Sequence, residues 1–187
     1  MKRYDTGPSE GPIPAWGRRQ GVFTAMLYAL LAAVLVAADQ VVKYLVRANI
    51  PLGTSVPFLP GLVELTYVKN TGAAFSIFSD HTWILTLISA VVAVAIAVAL
   101  LRRVIRHPFG VTTLTVVFAG AVGNLIDRAL FGFVTDMFNF QFMHFAVFNV
   151  ADICVVCGGI AFCVYFLFYY DKLEKKEVPH DRSDTES

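Results

Sequence analysis

Four stretches that contain no charged residue and no histidine divide this chain more sharply than any other feature. They are 18 to 20 residues long and cover residues 21–38, 82–101, 108–126 and 153–170. A helix needs about 20 mostly apolar residues to cross the hydrocarbon core of a bilayer. The pattern therefore predicts four transmembrane helices, because a chain of 187 residues is too short to bury four such helices inside a soluble fold.

The composition excludes several other classes of protein. Apolar residues make up 57% of the chain and charged residues 16%, with a net charge of +1, whereas an average soluble domain is about 25% charged. A soluble domain, a disordered chain and a basic nucleic-acid binder are therefore excluded. The cysteines, Cys154, Cys157 and Cys163, all lie in the fourth apolar stretch. We expect small buried side chains there, not a disulfide framework or a metal site.

The distribution of cations predicts how the chain crosses the membrane. Segments 1–20, 102–107 and 171–187 hold eleven of the 15 lysines and arginines. By the positive-inside rule both termini lie in the cytoplasm, and loops 39–81 and 127–152 face outward. We expect a disordered N-terminal extension over 1–20, a membrane domain over 21–170 and a charged tail over 171–187.

Residues 36–38, Val-Ala-Ala, resemble a signal-peptidase cleavage site at the end of the first apolar stretch. A cleavable signal usually has an apolar core of about 7–15 residues. This stretch is longer and follows a lead of 20 residues, and the sequence after it continues without a helix-breaking residue. The pattern therefore favours a first helix that is retained in the protein.

Small residues recur at helical spacing in the first three apolar stretches. Such residues allow helices to approach closely in lipid. We expect helix contacts at Ala29, Ala33, Ala37, Ala93, Ala97, Gly120 and Gly123.

Several acidic residues of the outer loops have a purely structural interpretation. Asp39 and Lys43 are four residues apart, as in an ion pair on one helical face, and Arg47 follows one turn later. Asn149 and Asp152 have the spacing of a helix N-cap and an acid three residues into the helix. Other acids in these loops are Glu64, Asp80 and Asp127, the last of which is followed directly by Arg128 and could be neutralised by it.

Asp136 has no such structural explanation. It lies in an apolar, strand-like stretch, Gly-Phe-Val-Thr-Asp-Met-Phe, without a nearby cation. Because loop 127–152 is short and tied to two helices, Asp136 and Asp152 can meet at the membrane surface. Two carboxyls in contact share a proton, and such a pair can activate water while donating to a carbonyl. We expect the helix N-terminus to keep Asp152 ionised and the apolar surroundings to keep Asp136 protonated.

Four polar motifs, in order between the apolar stretches, resemble those of bacterial lipoprotein signal peptidases, the signal peptidase II family. The similarity extends from around residue 25 to residue 170. The motifs are Asp-Gln-Val-Val-Lys at 39–43, Asn-Thr-Gly-Ala-Ala-Phe at 70–75, Gly-Asn-Leu-Ile-Asp-Arg at 123–128 with Val-Thr-Asp at 134–136, and Phe-Asn-Val-Ala-Asp at 148–152.

The resemblance implies an all-α membrane protein of four transmembrane helices with a small extracytoplasmic β-sheet and a short helix. We expect residues 62–69 to form a strand of that sheet, Gly72 to form a turn, and residues 73–78 to form the short helix or a hinge. The implied activity is that of an aspartyl endopeptidase that removes signal peptides from prolipoproteins by cutting before a diacylglyceryl-modified cysteine.

The resemblance also assigns roles to residues of this sequence. The implied catalytic pair is Asp136 and Asp152. The substrate-binding residues would be Asn70, Asn124, Arg128 and Asn149, and the structural support would come from Asp39, Lys43, Gly72 and Asp127. No metal or organic cofactor is implied. The expected partners are lipidated prolipoproteins and membrane lipids, and the expected oligomeric state is a monomer.

Two other classes of function remain open from the sequence. A proton-coupled transporter would also place acids in a membrane domain, but usually at its midplane and within inverted repeats. Here the acids lie at one face and no repeat is evident. A membrane scaffold or an inactive homologue would have no need of Asp136 in an apolar stretch. Replacing Asp136 or Asp152 by Asn distinguishes these possibilities.

Overall fold

The computed structural model describes residues 15–72 and 82–170, with side chains from residue 21. Within these ranges the chain forms four helices and three strands. In chain order they are α1 (Ala15–Asn49), β1 (Ser55–Leu59), β2 (Val63–Asn70), α2 (Thr82–Leu101), α3 (Pro108–Phe131), β3 (Val134–Phe140) and α4 (Val150–Phe168). The expected short helix or hinge at 73–78 lies outside the described residues.

All four helices in the described part of the chain are long and apolar enough to cross a membrane. This confirms the four predicted spans. The third helix, α3, lies at the centre of the bundle and packs against α1, α2 and α4. The first helix is longer than its charge-free stretch, because it continues past residue 38 to Asn49 and carries Asp39, Lys43 and Arg47 on successive turns.

A small antiparallel sheet with the order β1-β2-β3 sits at the end of the bundle where α1 and α3 terminate. The predicted strand at 62–69 is β2, which begins one residue later. The sheet packs on α1 through a small apolar core of Val46, Ile50, Tyr67 and Met137. This packing holds β3, and therefore Asp136, over the end of the first helix.

Two turns join the membrane helices to the sheet. Gly132 follows α3 with a φ of 74°, a left-handed conformation that favours glycine, and its N–H donates to Arg128 O. The chain then enters β3. At the other end of the loop Asn149 caps α4, and the capping box with Asp152 is present, as predicted from their spacing.

The predicted roles of the small residues are confirmed in α3 and wrong in α1. A methyl group on Gly120 would collide with the carbonyl oxygen of Ala151, and one on Gly123 would lie 2.7 Å from Asp39 Oδ2. These glycines therefore allow α4 and α1 to approach α3. In contrast, the small side chains of α1 for which helix contacts were predicted are exposed: Ala29, Ala33 and Ala37.

The expectation of buried cysteines is correct for Cys154 alone. Cys157 and Cys163 are exposed, because α4 packs on α3 through a face that carries Ala151, Cys154 and Gly158. The other two cysteines lie outside this packed face.

Candidate active site

Asp136 is held by amide side chains from two different elements. It lies in β3, and its side chain is buried, with 1% of the residue exposed. Asn149 Nδ2 donates to Asp136 Oδ1 at 2.6 Å, and Asn70 Nδ2 donates to Asp136 Oδ2 at 2.8 Å. Asn70 ends β2, the strand that pairs with β3, so the sheet register brings it beside the carboxyl. Each carboxyl oxygen therefore has one amide donor.

Asp152 is held where α4 begins. Asn149 N donates to Asp152 Oδ2 at 3.1 Å, and Asp152 N donates to Asn149 Oδ1 at 2.9 Å. The remaining carboxyl oxygen, Oδ1, accepts from Asn124 Nδ2 of α3 at 2.7 Å. A local helix cap and a contact to a second helix thus fix the same side chain.

Asn149 connects the two acids. Its amide Nδ2 contacts Asp136, while its Oδ1 and backbone N–H serve Asp152. The same Nδ2 also donates to Asn124 Oδ1 at 3.2 Å. Asn149 is fully buried, so this connection is shielded from solvent. The predicted catalytic pair is therefore joined through one buried residue, which donates from its side chain to Asp136 and from its backbone to Asp152.

Burial changes the acidity of Asp136. The apolar surroundings, and next the negative charge of Asp152, raise the pKa of Asp136 from 3.8 to about 6. The hydrogen bonds from Asn70 and Asn149 and the charge of Lys43 oppose this rise and offset it only in part. A carboxyl with a pKa near the working pH can donate a proton and recover it, which is the requirement for a general acid.

A buried charge cluster braces the site from the side of α1. Lys43 is fully buried, and its Nζ lies 2.9 Å from Asp39 Oδ2 and 3.6 Å from Asp127 Oδ2. Lys43 Nζ also donates to Asn124 Oδ1 at 2.9 Å. The predicted Asp39–Lys43 pair is therefore confirmed, but it belongs to a network that reaches the amide beside Asp152.

The carboxylates of this cluster also hold backbone atoms of the site. Ala151 N, in the first turn of α4, donates to Asp39 Oδ1 at 2.9 Å. Thr135 N, next to Asp136, donates to Asp127 Oδ2 at 2.8 Å. The cluster thus connects α1 to α4, and α3 to β3, at the residues adjoining the two acids.

The interpretation of Asp127 as neutralised by its sequence neighbour is wrong. Asp127 pairs with Lys43 and lies 3.7 Å from Arg47 Nη1. Consecutive residues on a helix point about 100° apart, so Arg128 projects elsewhere and donates from Nη1 to Ser89 Oγ of α2 at 3.4 Å. Among the described residues, no hydrogen-bond acceptor lies in reach of its buried Nε.

Gln40 was not among the predicted site residues. Its Nε2 donates to Asp39 Oδ2 and to Gly123 O, both at 3.1 Å, and to Asp127 Oδ1 at 3.3 Å. It joins two carboxylates from different helices. The signal was its place between Asp39 and Lys43 at the end of an apolar stretch, where a long polar side chain needs partners.

Gly72 contributes through its backbone. Gly72 N donates to Asn70 Oδ1 at 2.9 Å. This contact occupies the carbonyl oxygen of the Asn70 amide, so its NH₂ group is the end that faces Asp136. The predicted turn therefore orients one of the donors to the buried carboxyl.

A cavity of about 730 Å³ opens beside Asp136 and Asn70. Its far wall is the segment after β3, which contributes Phe142, His144 and Phe145. Cavities of this size bury ligands as large as a drug molecule. Among the described residues, no three His, Cys, Asp or Glu side chains are grouped so that they could hold a metal ion. The expectation of chemistry without a metal remains a prediction.

The protein has four apolar helices, and at one end of the bundle buried carboxyls accept hydrogen bonds from asparagine amides. These two features define a multi-pass membrane enzyme. Two solved structures of bacterial membrane enzymes have similar folds. One has a TM-score of 0.71 and 26% identity, covering 86% of this chain and 94% of that chain. The other has a TM-score of 0.65 and 30% identity, covering 76% and 94%.

Sequence comparison then identifies the family. Residues 31–168 match the family model described as Signal peptidase (SPase) II. A lipoprotein signal peptidase of Brevibacillus brevis is 42% identical over 143 residues, 76% of this chain and 96% of that protein. Those of Enterococcus faecalis and Clostridioides difficile are 39% and 37% identical, over 81% and 79% of this chain and 93% and 99% of theirs. The chain belongs to the signal peptidase II family of membrane peptidases.

Proposed function

We propose that this chain is the aspartyl endopeptidase that removes signal peptides from prolipoproteins, cutting before the diacylglyceryl-modified cysteine. The observation that carries this proposal is the pair of carboxyls, Asp136 and Asp152, both of which accept from buried Asn149: one from its side-chain Nδ2 and the other from its backbone N–H. Family membership supports the type of substrate, and the raised pKa of Asp136 supports the acid–base chemistry.

The two acids have different tasks in the proposed reaction. Asp152, ionised, takes a proton from a water molecule as its oxygen attacks the scissile carbonyl carbon. Asp136, protonated, gives its proton to the carbonyl oxygen, so a neutral tetrahedral diol forms. When the diol collapses, Asp152 passes its proton to the leaving nitrogen and the C–N bond breaks. Asp136 recovers a proton from the diol, and both acids return to their starting states.

The polar residues around the acids are proposed to bind the substrate. Asn70, Asn124 and Asn149 already present amide groups at the carboxyls. Arg128 has a buried N–H without an acceptor among the described residues, and this N–H can donate to a substrate carbonyl oxygen or to an oxygen that gains charge. The substrate itself is an apolar helix with acyl chains, and each buried methylene contributes about 0.8 kcal/mol. We infer that binding relies on lipid and apolar contacts more than on polar ones.

The proposed location is the bacterial inner membrane, with both termini in the cytoplasm and the acids at the outer face. The excess of cations in segments 1–20, 102–107 and 171–187 supports this orientation. The chain is proposed to act as a monomer among membrane lipids.

To test the orientation, a cysteine is placed at Thr54 or at Arg102 in a variant without native cysteines. A membrane-impermeant maleimide added to intact cells should label only the variant at Thr54; the opposite labelling would refute the orientation.

The test of the chemistry uses lipidated prolipoprotein, three purified active-site variants and one control variant. Asp136→Asn and Asp152→Asn should each lower kcat by about 10⁴-fold or more, and the double variant should lose little beyond either one, because the pair acts as a unit. Glu64→Gln is the matched control, since it removes a half-buried carboxylate from the same sheet. Normal cleavage by both Asn variants would refute the proposed pair.

A further inference from the structure

A second cavity lies at the end of the helical bundle opposite to the two acids. It is a groove of about 750 Å³ between α1, α2 and the beginning of α3. Within the described residues α1 and α2 make little direct contact, because each packs mainly on α3. The alanines on the facing sides of the groove, Ala25, Ala29 and Ala32 of α1 and Ala97 of α2, leave the space between the helices open.

The mouth of the groove is positively charged. Arg103 and Arg106, in the connection between α2 and α3, line it. No acidic side chain lines the groove in the part of the chain that the structure describes. The Arg103 guanidinium reaches across to α1, since a methyl group on Gly21 would lie 3.1 Å from its Nη2. A cation therefore covers the entrance to an apolar groove at the membrane surface.

The backbone conformation of Arg103 independently indicates that its side chain has a function. Arg103 has a φ of 51°, in the left-handed region, in the turn that ends α2. Val104 N donates to Ala99 O at 3.0 Å across this turn. Glycine adopts this conformation at a helix end without strain, whereas a residue with a side chain does so at a cost. An arginine at such a position is consistent with a side chain that is needed at the mouth of the groove.

We propose that this groove binds one anionic phospholipid, with an acyl chain along the alanine wall and the phosphate against Arg103. Basic pockets between transmembrane helices are the usual sites for acidic lipid headgroups. The wall from Gly21 to Ala32 is about 16 Å long at 1.5 Å per residue, enough for much of an acyl chain. The Arg103 guanidinium has no acidic side chain beside it among the residues that the structure describes, so the groove favours an anionic headgroup over a zwitterionic one. The site lies apart from the acids and goes beyond the proposed peptidase activity.

Native mass spectrometry of the full-length chain tests this proposal. The protein is released from micelles that contain dioleoyl phosphatidylglycerol and dioleoyl phosphatidylcholine in equal amounts. The unaltered protein should retain one phosphatidylglycerol. Arg103→Gln should lower that retention about fivefold, the factor contributed by one cation near a membrane surface. Arg102→Gln is the matched control, because it removes the same charge from the same turn but does not line the groove.

A second variant tests the apolar part of the groove. Ala29→Trp fills the groove from an exposed position of α1 and leaves Arg103 unchanged. It should abolish retention of phosphatidylglycerol, and soluble glycerophosphoglycerol should not compete with the lipid. Four results would each overturn the proposal. They are equal losses of lipid in the two arginine variants, equal retention of the two lipids, competition by the soluble headgroup, and unchanged retention in Ala29→Trp. The measurement uses no peptide substrate, so its result is independent of cleavage.

Discussion

Asp136→Asn should make the protein more stable at neutral pH while it abolishes cleavage. The carboxyl of Asp136 is buried, and its pKa rises from 3.8 to about 6. At a pH above both values, this difference of about 2 pKa units corresponds to about 3 kcal/mol of folding free energy lost by burying the charge. A neutral amide at position 136 removes that loss.

The new amide does not recover the whole amount. The Asn70 NH₂ group would face the NH₂ group of the new side chain, and Asn70 cannot simply turn over because its Oδ1 accepts from Gly72 N. One donor without an acceptor costs about 1 kcal/mol. We therefore expect a net gain of about 2 kcal/mol, or about 4–8 °C in Tm for a chain of this length.

The dependence on pH separates this explanation from a change in packing. The folded state holds the Asp136 proton more tightly than the unfolded state, so the stability lost through this group is absent below about pH 4. It grows between about pH 4 and 6 and is complete above. Thermal unfolding in detergent should show a stabilised variant at pH 8 and a difference that shrinks toward pH 4.5. A variant less stable than the unaltered protein at pH 8, or a difference that is constant with pH, would refute the reasoning.

Three further predictions concern the surroundings of the acids. Asn70→Leu removes a donor that favours the ionised form of the neighbouring carboxyl, so the alkaline limb of the kcat/KM profile should move up by about one pH unit; a downward shift would contradict this. Lys43→Met should destabilise the protein by about 3–5 kcal/mol, measured by thermal unfolding, because it leaves Asp39 buried without a cation and removes one of the two cations beside Asp127. Gly123→Ala should lower Tm, since its methyl group would meet a carboxylate of α1, whereas Gly159→Ala, with no heavy atom within 4 Å, should leave Tm unchanged or raised; equal effects would be inconsistent with the packing described.

Local signals in the sequence predicted much of this fold. Charge-free stretches of membrane length predicted all four spans, and the three-residue spacing of Asn149 and Asp152 predicted the cap of α4. Both features depend on residues close in sequence, so they can be read without knowledge of the tertiary structure. The strand β1 was missed because it is short, exposed and contains Pro57, which is tolerated at a sheet edge and gives little strand signal.

Contacts between distant residues could not be predicted in the same way. The partner of Asp127 is Lys43, more than 80 positions earlier, and sequence adjacency pointed instead to Arg128. The bridging role of the Asn149 amide depends on how β3 lies over the start of α4, which no spacing specifies. The exposed face of α1 was also unpredictable, because a helix in lipid is apolar on every side and its packed face carries no hydrophobic signal.

Because Asn149 bridges the two acids, the site is complete only when the protein has finished folding. The same side chain starts α4, through its cap, and holds Asp136, through its NH₂ group. A chain in which α4 has not docked against the sheet lacks that donor, and its two carboxyls have no common partner. An incompletely folded copy in the membrane is therefore expected to be inert toward other proteins around it, because the arrangement of the acids forms only with the last helix in place.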